Sequence, residues 1–281
     1  MGAVQVDQLA VIADDGHRFT LEAHVPENPR ARLLWLPALG VSAKHYRPFA
    51  QALAARGIAC FLHEWRGHGS SPLRARRGVD WGYCELLDDI RASEAACNAQ
   101  LPTVERILGG HSLGGQLACC RLGLDPQAAD ALWLVASGTP YWRNFPRPTR
   151  WWLPLAYRFL PWLARRVGHL PGRRIGFGGN EAAGVMADWG RSGLSGHYLP
   201  YGIDADLEAG MAQFSGRLRG IALADDWLGP LPSLRHLTSK LADARTRLMT
   251  LDAAALAAPA DHYGWMRQPD ALADQLTHEQ P

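Results

Sequence analysis

The stretch RILGGHSLGGQ, residues 106–116, places one serine among four glycines directly after a short apolar run. Its centre, Gly110-His111-Ser112-Leu113-Gly114, has the pattern Gly-x-Ser-x-Gly. A serine at the tip of a sharp strand-to-helix turn has a strained backbone, and flanking glycines avoid collisions with the neighbouring elements. The hydroxyl then stands beside the first N–H groups of the helix, which favour developing negative charge. The pattern predicts a nucleophilic Ser112; the alternative is a glycine-rich turn with a capping serine.

Apolar runs and helical patterns alternate on both sides of this serine. Continuous apolar runs, typical of strands buried on both faces, lie at 32–40, 57–65, 104–110 and 131–138. Apolar residues at helical spacing lie between them, at 45–57, 80–100 and 113–124. This alternation predicts an α/β fold with parallel strands joined by right-handed crossovers.

The alternation stops near Gly138 and resumes with strand-like runs at 217–224 and 246–253. We therefore predict one α/β core, formed by residues 1–138 and 216–281. Residues 139–215 are expected to form a cap inserted after the strand that follows the nucleophile helix.

Serine needs a base to become nucleophilic, and the base needs an acid to orient it. In this type of fold the chain order is serine, acid, histidine, with the acid after a later strand. Of the eleven histidines, His262 combines this order with a loop after the last strand. Asp226 is the favoured acid because it precedes a Gly-Pro helix start, and Asp225 remains the second choice. Two later carboxylates are weaker candidates, Asp252 and Asp261.

Together these residues resemble the α/β-hydrolase superfamily over nearly the whole chain. The segment HEWRGHGSS, residues 63–71, is similar to the superfamily's Asp-x-Arg-Gly-x-Gly-x-Ser loop, with Glu64 in place of the usual Asp. A bacterial group of predicted serine hydrolases has segments that resemble five in this chain: HSLGGQL, VASGTPYWR, LPGRRIGFG, ADDW and DHYGWMR. That group is related to the serine aminopeptidase and monoacylglycerol lipase-like sets. The resemblance implies a serine hydrolase, but a fold does not determine the substrate.

The resemblance also implies an oxyanion loop at residues 36–40, Leu-Pro-Ala-Leu-Gly, where many members carry His-Gly. Oxyanion donors are backbone N–H groups, so a change of side chain need not remove them. By position we assign them to Leu39 and Leu113. Pro37 has no N–H and is excluded.

The predicted cap is rich in tryptophan and arginine. Nine arginines fall between Arg143 and Arg191. One interpretation is a cap that lines an acyl-chain pocket and contacts an anionic lipid surface. The other is a helical cap with packed tryptophans and solvated arginines. Pro154 and Pro161 are expected to break the stretch RWWLPLAYRFLPWLARRVGHL, residues 150–170, into short helices.

Composition and missing motifs restrict the remaining functions. The formal charge of +2 is too small to indicate nucleic-acid binding. No metal site or nucleotide cofactor is expected, because the chain has neither a His-Glu-x-x-His helix nor a Walker lysine. We also expect no transmembrane helix and no signal peptide. With five cysteines in no paired spacing, these features favour a cytoplasmic protein with reduced thiols.

The function predicted from the sequence is hydrolysis of a carboxylic ester of a small-molecule acyl substrate, by Ser112, His262 and Asp226. Peptidase, thioesterase or acyltransferase chemistry on the same residues is the alternative. A non-catalytic binding protein of the same fold is a further possibility, although a pure binder has no need of all three side chains.

Overall fold

The computed structural model describes residues 3–278. The strands are β1 (Val4–Ile12), β2 (Arg18–Pro26), β3 (Ala31–Leu36), β4 (Ile58–Leu62), β5 (Glu105–His111), β6 (Ala131–Val135), β7 (Leu170–Pro171), β8 (Asn180–Glu181), β9 (Arg217–Leu223) and β10 (Arg245–Leu251). The α-helices are α1 (Arg47–Ala54), α2 (Tyr83–Gln100), α3 (Leu113–Leu124), α4 (Thr149–Val167), α5 (Gly172–Ile175), α6 (Ala183–Ser195), α7 (Leu207–Ala212), α8 (Leu231–Thr238), α9 (Ala253–Leu256) and α10 (Asp270–Thr277).

Eight of these strands form one sheet, in the order β1-β2-β4-β3-β5-β6-β9-β10. The strand β2 is antiparallel to both β1 and β4, whereas the neighbouring pairs from β4 to β10 are parallel. The predicted α/β-hydrolase fold with a mostly parallel sheet is confirmed. Because the carboxyl ends of parallel strands meet at one edge, the loops after β3, β5, β9 and β10 share that edge.

Both faces of the sheet are covered by helices, which explains the unbroken apolar runs. Along β3, Leu34 and Leu36 pack into the apolar cluster on the side of α2, α3 and α8. Leu33 and Trp35 alternate with them and pack on the opposite side with α1 and α10. A strand of this kind is apolar at nearly every position, so its sequence shows no period of two.

The segment between β6 and β9 contains the predicted cap. The helices α4 and α6 pack closely because two glycines of α6 lie against Tyr157 of α4. A Cβ atom on Gly190 would lie 2.6 Å from the Tyr157 carbonyl oxygen, and one on Gly193 would lie 2.6 Å from its ring. The later helix α7 instead packs against α3, where Gly210 meets the Gly123 backbone. The end of the 139–215 segment therefore lies on the core.

The expectation that Pro154 and Pro161 divide the cap segment into short helices is wrong. Both prolines lie inside α4, which continues without interruption for 19 residues. A proline in a helix interior removes one backbone hydrogen bond and costs about 3 kcal/mol. Packing of the buried face of α4 on α6, with Pro161 itself buried, offsets this local cost.

Candidate active site

Ser112 lies at the junction of β5 and α3, in a backbone conformation that residues with a side chain rarely adopt. Its φ is 55° and its ψ is −119°. The Ser112 N–H donates to the carbonyl oxygen of Val135 in β6 at 3.2 Å, so the turn is tied to the sheet. A non-glycine residue at positive φ is strained, and such strain is retained where the surrounding structure holds it. The structure therefore has the sharp turn that the Gly-x-Ser-x-Gly pattern predicts.

The glycines of the pattern are required by close backbone approaches. A Cβ atom on Gly110 would lie 2.5 Å from the backbone nitrogen of Gly115. One on Gly114 would lie 2.6 Å from the Pro37 carbonyl oxygen and would overlap that of Leu36. The first turn of α3 thus passes directly against the loop after β3. This contact brings the loop that contains Leu39 next to the turn that contains Ser112.

Asp226 and His262 form a buried hydrogen-bonded pair. The His262 Nδ1 atom lies 2.7 Å from Asp226 Oδ2. The other carboxylate oxygen, Oδ1, accepts backbone N–H groups from Leu228 at 2.8 Å and Gly229 at 3.1 Å. Both carboxylate oxygens therefore have donors, and the side chain is held in one orientation. This orientation directs Nδ1 of His262 toward the carboxylate and leaves Nε2 as the ring nitrogen for another partner.

The other candidate acids lie elsewhere. Asp225 is exposed, and its backbone N–H donates to the Ala260 carbonyl oxygen. Asp252 caps α9 by accepting the Ala255 N–H, and Asp261 accepts backbone N–H groups within its own turn. These two are local backbone caps. The structure brings Asp226, and not these three, to the ring of His262.

Ser112 and His262 line the same cavity, which has a volume of about 440 Å³. Leu39 and Leu113, predicted as oxyanion residues, line it as well. Apolar side chains of the cap supply much of the remaining wall, among them Leu153, Leu160, Ile175, Phe177 and Trp189. Among the described residues that line this cavity, none is Asp, Glu, Lys or Arg. An apolar site with a few polar groups is typical of small-molecule binding sites.

Glu64 holds the loop that follows β3. Its carboxylate accepts the Ser42 hydroxyl at 2.9 Å and the Ala43 N–H at 3.1 Å. Burial raises the pKa of Glu64, and these hydrogen bonds oppose the rise. A Cβ atom at position 69 would overlap the Glu64 carboxylate. Because residue 69 is glycine, there is room for Glu64, whose side chain is longer than that of Asp. Glu64 therefore has a structural contact in the position where the superfamily usually has Asp.

A second network connects the same loop to His111, the residue before Ser112. The Tyr46 hydroxyl accepts the Ala38 N–H at 2.9 Å and lies 2.8 Å from Nδ1 of His111. Burial raises the pKa of Tyr46, so the phenol keeps its proton and donates it to His111. Sequence reasoning did not identify Tyr46. The nearest signal was its position in the amphipathic segment HYRPFAQALAARG, which only indicates a core residue.

His111 lies beside the candidate base. Its ring centroid is 4.7 Å from that of His262. Burial lowers the pKa of His111 well below its ordinary value, and the neighbouring His262 lowers it further. A neutral His111 therefore places no positive charge beside the ring of His262.

Within residues 3–278, no group of three or more His, Cys, Asp or Glu side chains is arranged to hold a metal ion. No described helix is both long enough and apolar enough to cross a bilayer.

Comparison with known proteins shows the family of this chain. The family model described as serine aminopeptidase, S33, matches residues 27–176. The chain belongs to this family. The match includes Ser112 and the loop with Leu39, whereas Asp226 and His262 lie beyond its end. No curated protein sequence gives a significant match.

Solved structures extend the similarity of this S33 family member to the whole chain. A hydrolase from Pseudomonas aeruginosa PA01 is 17% identical with a TM-score of 0.65, over 96% of this chain and 97% of that one. The esterase domain of a Rhodothermus marinus protein is 18% identical with a TM-score of 0.62, over 97% and 96%. An esterase from Exiguobacterium antarcticum is 15% identical with a TM-score of 0.60, over 98% of both chains. At these identities the comparisons establish the shared fold.

Proposed function

We propose that this protein is a serine hydrolase that cleaves a carboxylic ester with an apolar acyl group. The observation that carries the proposal is the buried pair of Asp226 and His262, 2.7 Å apart, with His262 lining the same cavity as the strained Ser112. Ser112 lies on a strained turn, as expected for a nucleophile. The His262 ring is oriented by a carboxylate, as expected for a base, and Asp226 is buried and held by hydrogen bonds, as expected for the orienting acid. Two structurally similar proteins are esterases by name, which supports the same class of reaction.

In the proposed reaction the Ser112 hydroxyl attacks the acyl carbon, and Nε2 of His262 accepts the hydroxyl proton. The Asp226 carboxylate accepts the Nδ1–H and stabilises the cationic ring. The substrate carbonyl oxygen becomes an oxyanion, which the backbone N–H groups of Leu39 and Leu113 bind. Each such donor lowers the barrier by about 3 kcal/mol. His262 then gives its proton to the leaving alcohol, and the acyl group remains on Ser112.

Water completes the proposed cycle. With His262 again as base, a water molecule attacks the acyl-enzyme, and its proton passes to His262 and then to the Ser112 oxygen. The acid is released and the three side chains return to their starting states. The residues present supply every proton transfer, so the proposal requires no cofactor.

The cavity favours an ester over the amino-terminal substrates of an aminopeptidase. A free α-amino group is cationic at neutral pH and is recognised by carboxylates or carbonyl oxygens. Because no Asp or Glu is among the described lining residues, a cationic amine would lose its hydration without a charged partner. An acyl chain would instead bury its carbon atoms against Leu153, Leu160 and Phe177.

The test is turnover of nitrophenyl esters of increasing acyl length, compared with aminoacyl nitroanilides and with acyl thioesters. We expect ester hydrolysis, with kcat/KM rising about threefold to fourfold for each added methylene until the cavity is filled. A Ser112→Ala variant should lose the activity while keeping its unfolding temperature. Preference for aminoacyl nitroanilides, or equal turnover by the alanine variant, would contradict the proposal.

A further inference from the structure

The cap helix α4 is apolar on two opposite faces. One face packs into the protein through buried side chains, including Leu153, Tyr157 and Ala164. The other face exposes five large apolar side chains, with exposed fractions of 44–68%: Trp151, Trp152, Leu155, Phe159 and Trp162. We call these five residues the exposed face of α4. A helix at the surface of a globular protein ordinarily has one apolar face, so the second requires an explanation.

Helical geometry places this exposed face on one side of α4. At 100° per residue, the four positions 151, 155, 159 and 162 fall within an arc of about 80°. The two aromatic rings at its carboxyl end contact each other, since the centroids of Phe159 and Trp162 are 5.7 Å apart. The exposed side chains therefore form a continuous stripe along the helix.

Positive charge surrounds the stripe. Residues 141–180 contain eight arginines and no Asp, Glu or Lys. Arg158 and Arg165 project from α4 into solvent. Two more arginines stack on rings of the stripe, Arg147 over Trp151 at 5.4 Å and Arg166 over Trp162 at 5.8 Å. Tryptophan, phenylalanine and leucine bordered by arginine are the composition of helices that lie in the interface of an anionic bilayer.

The stripe continues to the rim of the candidate active site. Trp152 belongs to the exposed face of α4 and also lines the 440 Å³ cavity. Its ring is 6.2 Å from that of Trp227, which is 53% exposed and lines the same cavity. Tyr263, next to His262, is 45% exposed and lines it as well. A surface that covers the exposed face of α4 would therefore also meet the rim of this cavity.

We propose that the exposed face of α4 docks on the surface of an anionic phospholipid bilayer. Its apolar side chains enter the boundary between head groups and acyl chains, and the surrounding arginines bind lipid phosphates. A second copy of the chain fits less well, because pairing two such faces would bring two sets of arginines together. The bilayer supplies both an apolar layer and the opposite charge.

Docking stands independently of the hydrolytic proposal, because binding requires none of the catalytic groups. The experiment therefore uses the Ser112→Ala protein, which cannot consume lipid, and measures co-sedimentation with vesicles. Vesicles of mixed phosphatidylglycerol and phosphatidylcholine should bind the protein, with a blue shift of tryptophan emission. Pure phosphatidylcholine vesicles should bind it much less, and added salt should release it. Absence of binding to the anionic vesicles would overturn the docking proposal and leave the proposed esterase activity untouched.

Matched substitutions distinguish the stripe from exposed residues elsewhere. Leu155→Asp should lower the vesicle partition coefficient about 10-fold or more, because it puts a charge where the docked protein would bury a leucine in the bilayer. Ile12→Asp makes the equivalent change on β1, where Ile12 is 58% exposed, and should leave binding unchanged. Arg158→Gln should lower the affinity about fivefold, and Arg247→Gln on β10 should have no effect. Neither Leu155 nor Arg158 lines the cavity. Far-UV circular dichroism and the unfolding temperature check that all four variants are folded.

Two results would overturn the proposal even if the Ser112→Ala protein binds the anionic vesicles. One is an equal loss of binding in Leu155→Asp and Ile12→Asp, since the stripe would then have no special role. The other is a dimer in sedimentation velocity that Leu155→Asp converts to a monomer, because a second copy would then be the occupant of this face.

Discussion

Nδ1 of His262 lies 2.7 Å from Oδ2 of Asp226, and the second oxygen of that carboxylate accepts two backbone N–H groups. Asp226→Asn would replace the acceptor by an amide and allow the wrong tautomer of His262. We expect kcat to fall about 1,000-fold to 10,000-fold. Asp225→Asn is the matched control, because Asp225 is exposed and does not reach His262. Steady-state turnover of a nitrophenyl ester measures both; a larger loss in Asp225→Asn would reassign the acid.

Tyr46 joins the loop after β3 to the turn at Ser112, and Tyr46→Phe would leave the Ala38 N–H and Nδ1 of His111 without their partner. We expect kcat to fall about 10-fold with KM changed much less, and the free energy of unfolding to fall by about 2 kcal/mol. Tyr83→Phe is the control, since the Tyr83 hydroxyl is also buried but has no hydrogen-bond partner among the described residues. That variant should keep kcat and lose no stability. If the two variants show the same kcat and the same free energy of unfolding, Tyr46 has no specific role in positioning the site.

Gly114→Ala would place a Cβ atom against the carbonyl oxygens of Leu36 and Pro37. Neither backbone group can move without shifting β3 or its loop, so we expect the free energy of unfolding to fall by about 3 kcal/mol. Activity should fall more than 100-fold, about as much as when one oxyanion donor is removed.

Gly78→Ala is the control. It tests the cost of positive φ without a clash, because Gly78 has φ of 79° and open space around it. It should cost about 1 kcal/mol and leave kcat unchanged. Wild-type turnover by Gly114→Ala would contradict the close approach of loop and turn.

The stability of the protein should depend on pH through His63. Burial lowers the pKa of His63 from 6.5 to about 4, and its Nδ1 lies 2.9 Å from the Ser93 hydroxyl. Between these pH values the unfolded chain binds a proton that the folded protein does not, so stability falls as the pH drops through this window. Relative to His63→Gln, the wild type should lose about 3 kcal/mol between pH 6.5 and pH 4. Urea unfolding at several pH values measures this difference. Parallel pH profiles of the two proteins would show that His63 titrates normally.

The sheet could be predicted well because strands buried on both faces are apolar over most of their length. Leu33 to Leu36 and Ile58 to Leu62 are buried at every position, and such runs are visible without a structure. Ser112, Asp226 and His262 could be selected because each follows a strand at the carboxyl edge of the sheet. These predictions depend on local pattern and chain order.

Features that depend on contacts between distant residues were missed. The bond between Tyr46 and His111 spans 65 positions, and nothing near either residue indicates it. The continuity of α4 through Pro154 and Pro161 depends on its packing against the glycines of α6, which overrides the local preference of proline. The exposed face of α4 was likewise visible only once its opposite face was known to be buried.

Reaction of the folded protein with a fluorophosphonate, followed by mass-spectrometric mapping of the adduct, tests the central claim most directly. The reagent reacts with a serine whose hydroxyl is activated by a neighbouring base. We expect a single stoichiometric adduct on Ser112, which should form much more slowly in His262→Ala. An unlabelled Ser112 in the folded protein, or an adduct that forms at the same rate without His262, would contradict that claim.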